Sequence, residues 1–151
     1  MPVVRRELVR TLAYFHVVEA EAGLLDALDD SDPDIRIVAC KAWGARPNAA
    51  AKTALLKTVR SDEDSDVQAA ALRALGNFQG QEVFNELKTA LESRDPAVQY
   101  AGIQGLRSLT GEDWGEDPET WIAGLEGKSP EIVHDGQESF IDALHPRNII
   151  R

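Results

Sequence analysis

The sequence predicts an all-α solenoid, a stack of antiparallel helix pairs, and three observations predict it. The first is self-similarity. The stretches VRRELVRTL from Val4, IRIVACKAW from Ile35, VQAAALRAL from Val67 and VQYAGIQGL from Val98 align at spacings of 31, 32 and 31 residues. Leu25, Leu56 and Leu87 repeat between them, again 31 apart. A fixed period of this length marks a solenoid of helix pairs, each unit burying its apolar face against the next. The second observation is punctuation: Asp32, Asp95, Asp117 and Ser129 each precede a proline, an N-cap acceptor followed by the residue best tolerated at the first helical position. The third is composition, 43% apolar but only 6% aromatic, which suits closely packed helices better than a β-sandwich.

Each element follows from these signals. In the four aligned stretches, offsets 0, +4, +5 and +8 are mostly apolar, and at about 100° per residue they fall within an arc of roughly 140°. These are the second, or B, helices of the pairs, near residues 3–14, 34–44, 66–76 and 97–109. First, or A, helices are expected near 18–30, 49–60 and 81–92, joined by loops of a few residues, as antiparallel neighbours require. Offset +7 holds Thr11, Ala42, Ala74 and Gly105, all small, so a neighbouring helix can come close there. Gly44 and Gly76, 32 apart, stand where C-terminal glycines end helices. After Thr110 the period fails; a short helix over 118–124, with Trp114, Trp121 and Leu125, is expected to seal the last repeat, whose outer side nothing covers. The domain expectation is a solenoid over residues 1–126, with its end cap at 110–126, and a tail over 127–151 with room for one short helix.

Bulk properties narrow the function. A net charge of −10 and a pI near 4.7 argue against general affinity for nucleic acid or anionic membrane, which reward clustered Lys and Arg. No stretch has the length of a transmembrane span, and the first segment, MPVVRRELVRTLAYF, is amphipathic and no signal peptide, so a cytoplasmic protein is expected. The single Cys40 rules out an internal disulfide and a thiolate zinc site. It stands at offset +5, where other units carry Val9, Leu72 and Ile103, and reads as a small core hydrophobe.

The repeats also resemble a known family. Asp32-Pro33-Asp34-Ile35-Arg36 running to Trp43-Gly44, Asp66-Val67-Gln68 running to Leu75-Gly76, and Asp95-Pro96-Ala97-Val98-Gln99 running to Leu106 are similar to HEAT repeats. They resemble in particular the short HEAT-like repeats of the phycobilin-lyase type, whose second helix typically reads Asp-Pro-x-Val-Arg-x-x-Ala-x-x-Ala-Leu-Gly. Leu109-Thr110-Gly111 followed by Asp117-Pro118-Glu119-Thr120-Trp121 also resembles the way some bacterial HEAT-like proteins end. The resemblance implies a right-handed α-α superhelix of about four helix pairs with a C-terminal capping segment, with B helices along the inner, concave surface. It further implies that Arg36, at offset +1, ties adjacent repeats together; Gln68 and Gln99 depart from the pattern there.

Candidate functional residues are those that packing does not require. Offset +6 projects at about 240°, away from the packed arc, and holds Arg10, Lys41, Arg73 and Gln104. Arg6 and Tyr100 at offset +2 and Arg107 at +9 extend this row. A basic row inside an acidic protein suits an acidic peptide, an acidic helix or a phosphate-bearing ligand; a solvated helix face carries Lys and Arg as a matter of course.

Acidic runs concentrate at turns, from Asp26 to Asp34, from Asp62 to Asp66 and from Glu112 to Asp117. Capping accounts for part of this. DSDPD and DEDSD alternate acids as an EF-hand loop does, but lack its glycine at the sixth position and glutamate at the twelfth. His16, His134 and His145 are far apart and form no His-Glu-x-x-His motif, and no phosphate loop or nucleophile elbow is visible. No metal, no cofactor and no catalysis are therefore expected; a bilin lyase or a HEAT-like DNA glycosylase is the least supported reading, since Trp43 at offset +8 is a core position.

The expected function is a protein-interaction or scaffold module with an unidentified protein partner. The alternative is a subunit of a larger assembly or a homo-oligomer. The first unit lacks a preceding A helix, so Val4, Leu8 and Leu12 need a cover, which the tail residues Phe140, Ile141 and Leu144, a second copy or another protein would supply.

Overall fold

A computed structural model of the chain describes residues 1–12 and 18–128. His16, His134, His145, Phe140, Ile141 and Leu144, and the helix start expected at Ser129, lie outside the described residues. Eight α-helices follow one another among those described. They are α1 (Pro2–Leu12), α2 (Val18–Asp26), α3 (Pro33–Gly44), α4 (Ala49–Ser61), α5 (Ser65–Leu75), α6 (Gln81–Ala90), α7 (Pro96–Thr110) and α8 (Pro118–Ala123). A 3₁₀ turn at Ala27–Asp29 extends α2, and a wide π-type turn at Gly124–Lys128 follows α8. The odd-numbered helices α1, α3, α5 and α7 are the B helices, and α2, α4 and α6 the A helices.

Each B helix after the first opens on one local device. The Asp32, Asp64 and Asp95 carboxylates cap α3, α5 and α7 by accepting from the backbone N–H of Asp34, Asp66 and Ala97. Two residues earlier in each turn, Asp30, Asp62 and Ser93 accept the backbone N–H of those same capping residues, at 2.9, 3.0 and 3.1 Å. Much of the acidity at the turns is thus fold-forming, spent on backbone donors that a helix N-terminus leaves unpaired.

Packing repeats with the sequence. B helices lie against B helices, α1 on α3, α3 on α5 and α5 on α7, while α4 and α6 are held mainly by their own B helices. The B helices are thus the more closely spaced layer. Small residues permit that spacing, and they also explain Gly44 and Gly76. Both end their helices with ordinary right-handed backbone, not the left-handed conformation of a C-terminal glycine. What excludes a side chain is the next B helix: a Cβ on Gly44 would stand 3.1 Å from Ala74 Cα, and one on Gly76 only 2.8 Å from the Gly105 carbonyl oxygen. A left-handed glycine does end α7, at Gly111, with φ of 76°.

The core is the row of inter-repeat contacts expected of a solenoid. Offset +5 contributes Val9, Cys40, Leu72 and Ile103, all buried, and offset +8 the fully buried Trp43, Leu75 and Leu106. Trp43 also donates its indole N–H to the Leu24 carbonyl near the end of α2, at 3.2 Å. Trp121 on α8 is completely buried, stacks at a tilt on Trp114 with centroids 4.9 Å apart, and donates to the Gly115 carbonyl at 2.8 Å. This pair covers the last repeat.

Candidate functional site

The B-helix face is built by the same register that builds the core. Where offsets +5 and +8 point inward, +6 points outward, and Arg10, Lys41 and Arg73 are exposed while Gln104 is half-buried. Arg73 and Gln104 meet across the α5–α7 contact, the guanidinium Nε donating to Gln104 Oε1 at 2.5 Å. Arg10 lies 3.4 Å from Glu7 one turn back, and Arg6 3.5 Å from Asp34 in the next repeat. Tyr100 is exposed. Arg107 takes a different course: its guanidinium turns to the end cap, 2.8 Å from Asp113 Oδ1 and 3.1 Å from the Gly115 carbonyl. Asp113 is held below the usual carboxylate range by the Gly115 N–H first and by Arg107 second.

Seven residues of the row therefore divide by their partners. Arg6, Arg10 and Arg107 are paired with carboxylates. Lys41 makes no ion pair or hydrogen bond among the described residues, and Arg73 reaches only the neutral amide of Gln104. On the A side, Lys57 pairs with Asp29 and Arg60 with Glu86 and Glu82. Lys52, Lys88 and Arg94 also lack carboxylates among the described residues, but they stand singly on α4, α6 and a turn. Lys41 and Arg73 project from the same offset of two packed helices, 32 residues apart. That places two exposed cations at matching positions of neighbouring helices, with no carboxylate paired to either among the described residues.

The inter-repeat staple is the other charged feature. Arg36 donates from Nε and Nη2 to the two Asp62 oxygens at 2.8 and 2.9 Å, and from Nη1 to the Asp30 carbonyl at 2.8 Å. The side chains are only 15% and 7% exposed, and the Asp62 hydrogen bond is the main cause of a raised Arg36 pKa. Arg5 and Asp30, one repeat earlier, form the same pair more loosely, at 3.2 and 3.3 Å. The period identifies Arg5, since it lies 31 residues before Arg36. At the third and fourth positions Gln68 and Gln99 bond the carbonyls of Asp62 and Leu91 instead. Beside Arg36 lies an open groove of about 280 Å³ lined by Asp29, Lys57 and Asp62, and one repeat on a second, of about 350 Å³, is lined by Gln68, Glu86 and Glu92. Their mixed linings and position on the turn edge set them apart from the B face.

Two further features bear on chemistry. Cys40 is fully buried, and desolvation pushes its thiol up to about 12, so it is inert at neutral pH. Both terminal guanidinium nitrogens of Arg46, in the turn after α3, and the indole nitrogen of Trp114 are buried without an acceptor among the described residues. Among the described residues no group of three or more His, Cys, Asp or Glu is placed to hold a metal ion. No described helix is long and apolar enough to cross a membrane.

Stacked helix pairs with a continuous B-helix face define an α-solenoid of the repeat-scaffold class. HEAT repeats match residues 1–71 and 53–120, and the chain belongs to the HEAT repeat family. The match is to HEAT repeats at large and does not extend to the phycobilin-lyase type. No curated protein matches the chain. HEAT repeats are generally protein-interaction scaffolds.

Proposed function

We propose that this chain is a non-catalytic protein-interaction module, and that the inner face of its B helices binds an acidic or phosphate-bearing partner protein. Residues 1–126 serve as the binding frame and 127–151 as a tail. Lys41 and Arg73 carry the reading: at the same offset of two packed helices, exposed and without carboxylate partners among the described residues, they offer two positive charges at the middle of the face. Gln104 positions Arg73, Tyr100 adds an exposed aromatic edge, and Arg6, Arg10 and Arg107 frame the row. Recognition by a rigid curved surface needs no ordering of the receptor, so charge complementarity sets specificity and association rate more than raw affinity.

The test is a binding screen of acidic and phosphoserine-containing peptides against the full chain, repeated with Lys41→Glu/Arg73→Glu. The wild type is expected to retain a subset with affinity that falls as salt rises. The double variant is expected to lose them with helicity and melting unchanged. Retention of the same peptides by the variant, or capture of none by the wild type, refutes the surface.

A second reading has its own observation. Val4 and Leu8 on α1 are 64% and 58% exposed, although the positions equivalent to them in later repeats are buried. This favours a subunit that docks through its first helix.

A further inference from the structure

We infer that the open face of α1 is a homodimer interface, on which two copies of the chain meet through antiparallel α1 helices. The inference rests on the second reading above and names the occupant.

The face is specific to the first repeat. At offset 0, Ile35, Val67 and Val98 are 1%, 0% and 7% exposed, against 64% for Val4. α1 is nonetheless anchored on its other side. Val9 is buried, Leu12 packs against the core, and Arg5 and Arg6 are tied to Asp30 and Asp34. Projected at about 100° per residue, Val4, Leu8 and Thr11 fall within roughly 60° of one another. Met1, 90% exposed, extends this strip at its start.

A regular A helix is the wrong occupant. In the later repeats offset +4 holds Ala39, Ala71 and Gly102, and Gly102 shows why: a Cβ there would stand 2.9 Å from Ala90 Cβ and 3.1 Å from the Leu87 carbonyl on α6. Leu8 occupies this offset in α1. Its branched side chain keeps an A helix from the regular approach and suits the wider spacing of two helices meeting through large apolar side chains. Head-to-tail stacking of copies is also closed off, because α8 and Trp121 already cover the far end.

Charge selects a second copy. Glu7 borders the strip, and Arg10, which also begins the inner row, lies further round on the same side within reach of it, both more than half exposed. Antiparallel helices related by a two-fold axis bring identical flanks together. Glu7 then faces Arg10 of the partner subunit, and Arg10 faces Glu7 of the partner subunit, so the flank is complementary to itself. Across α1 as a whole three arginines, Arg5, Arg6 and Arg10, are paired with three carboxylates, Asp30, Asp34 and Glu7. The net charge of −10 therefore resides away from α1, where salt screens it.

The test is sedimentation equilibrium of the full chain over a concentration series. A mass rising toward twice 16.5 kDa is expected. Leu8→Glu should give a monomer of unchanged helicity; Glu7→Arg and Arg10→Glu should each weaken the dimer roughly tenfold, and the combined swap should restore it. Lys41→Glu/Arg73→Glu should leave the mass unchanged. A monomer at every concentration, a dimer indifferent to Leu8→Glu, or a swap that fails to restore association overturns the inference. A photo-cross-linking residue at position 8 separates its failure from that of the docking reading. A covalent homodimer supports both; cross-links exclusively to other proteins in a lysate overturn the second copy and leave docking intact, and no product of either kind overturns both.

Discussion

Replacing Arg36 by Met removes the charge that joins the α2–α3 turn to the α4–α5 turn while retaining much of the side chain's apolar stem. Asp62 then keeps one backbone donor, the N–H of Asp64, but loses both guanidinium bonds. Stripping one partner from a buried pair costs about 3–5 kcal/mol, because the remaining charge stays desolvated. This pair retains slight solvent contact, with side chains 15% and 7% exposed, so a loss of about 3 kcal/mol is expected. For a chain of this length that is a fall in Tm of roughly 6–12 °C. Urea unfolding followed by circular dichroism measures it. Two comparisons make the reasoning exacting. Arg5→Met breaks the equivalent pair where the side chains are 44% and 19% exposed, and should cost less than about 1 kcal/mol. Arg36→Met/Asp62→Asn removes the stranded charge while keeping an acceptor for Asp64, and should recover at least about 1 kcal/mol relative to Arg36→Met. A loss under about 1 kcal/mol for Arg36→Met, or equal losses for the Arg5 and Arg36 variants, would show that burial does not set the strength of this staple.

Gly76→Ala should destabilise by about 1–3 kcal/mol, because its Cβ meets the backbone of Gly105 at 2.8–2.9 Å and α5 and α7 must part. Gly44→Ala, at 3.1–3.2 Å from Ala74, should cost less, and denaturant midpoints rank the two; the reverse order would refute the close-approach account. Cys40 gives a signature in alkaline solution. Its folded pKa, raised to about 12, exceeds the ordinary thiol value of about 8.5, so above that value the unfolded chain releases a proton that the folded chain keeps. The thiol's contribution is intact below pH about 8.5 and declines as pH rises toward 12, by up to about 1.4 kcal/mol per pH unit. Stability measured between pH 8 and 10 should therefore fall more steeply for the wild type than for Cys40→Val, and parallel curves would contradict the assignment.

The period made the helices legible because a 31-residue repeat states the same packing problem four times. Offsets +5 and +8 could be read as core from any unit once the others agreed, and Trp43 and Cys40 followed from their places alone. Capping was legible where a proline follows the cap. Asp64 lacks that signal, because Ser65 occupies the first helical position that Pro33 and Pro96 hold elsewhere, yet it stands three residues before offset 0 as Asp32 and Asp95 do. What the period does not contain is the path of the chain where it stops repeating. Arg107 continues the row by offset, yet Gly111 turns the chain back with a positive φ and brings Asp113 and the Gly115 carbonyl onto its guanidinium. The glycines that end α3 and α5 mislead in a similar way, since a local rule predicts a left-handed backbone where a distant helix instead forbids a side chain.

The candidate site shows how far register and pairing differ as sources of information. Register alone supplies seven residues on one face, and it treats Arg6, Arg10, Lys41, Arg73 and Arg107 alike. Pairing distinguishes them: carboxylates one turn back, one repeat on or in the end cap take up three of the five cations, and these partners lie at sequence separations of 3, 28 and 6 that no single period relates. A ligand gains most where it meets charge that the protein has not already neutralised, because displacing an existing carboxylate returns part of the gain. On that ground the middle of the face, between Lys41 and Arg73, is where an acidic partner would bind with least competition, since the cations at the ends of the row are already paired within the chain. The same accounting applies to α1, where every arginine is matched by a carboxylate and what remains unmatched is apolar. The two surfaces therefore differ in kind, one suited to charge recognition and the other to burial, and salt should separate them: peptide capture at the inner face weakens as ionic strength rises, while association through α1 persists.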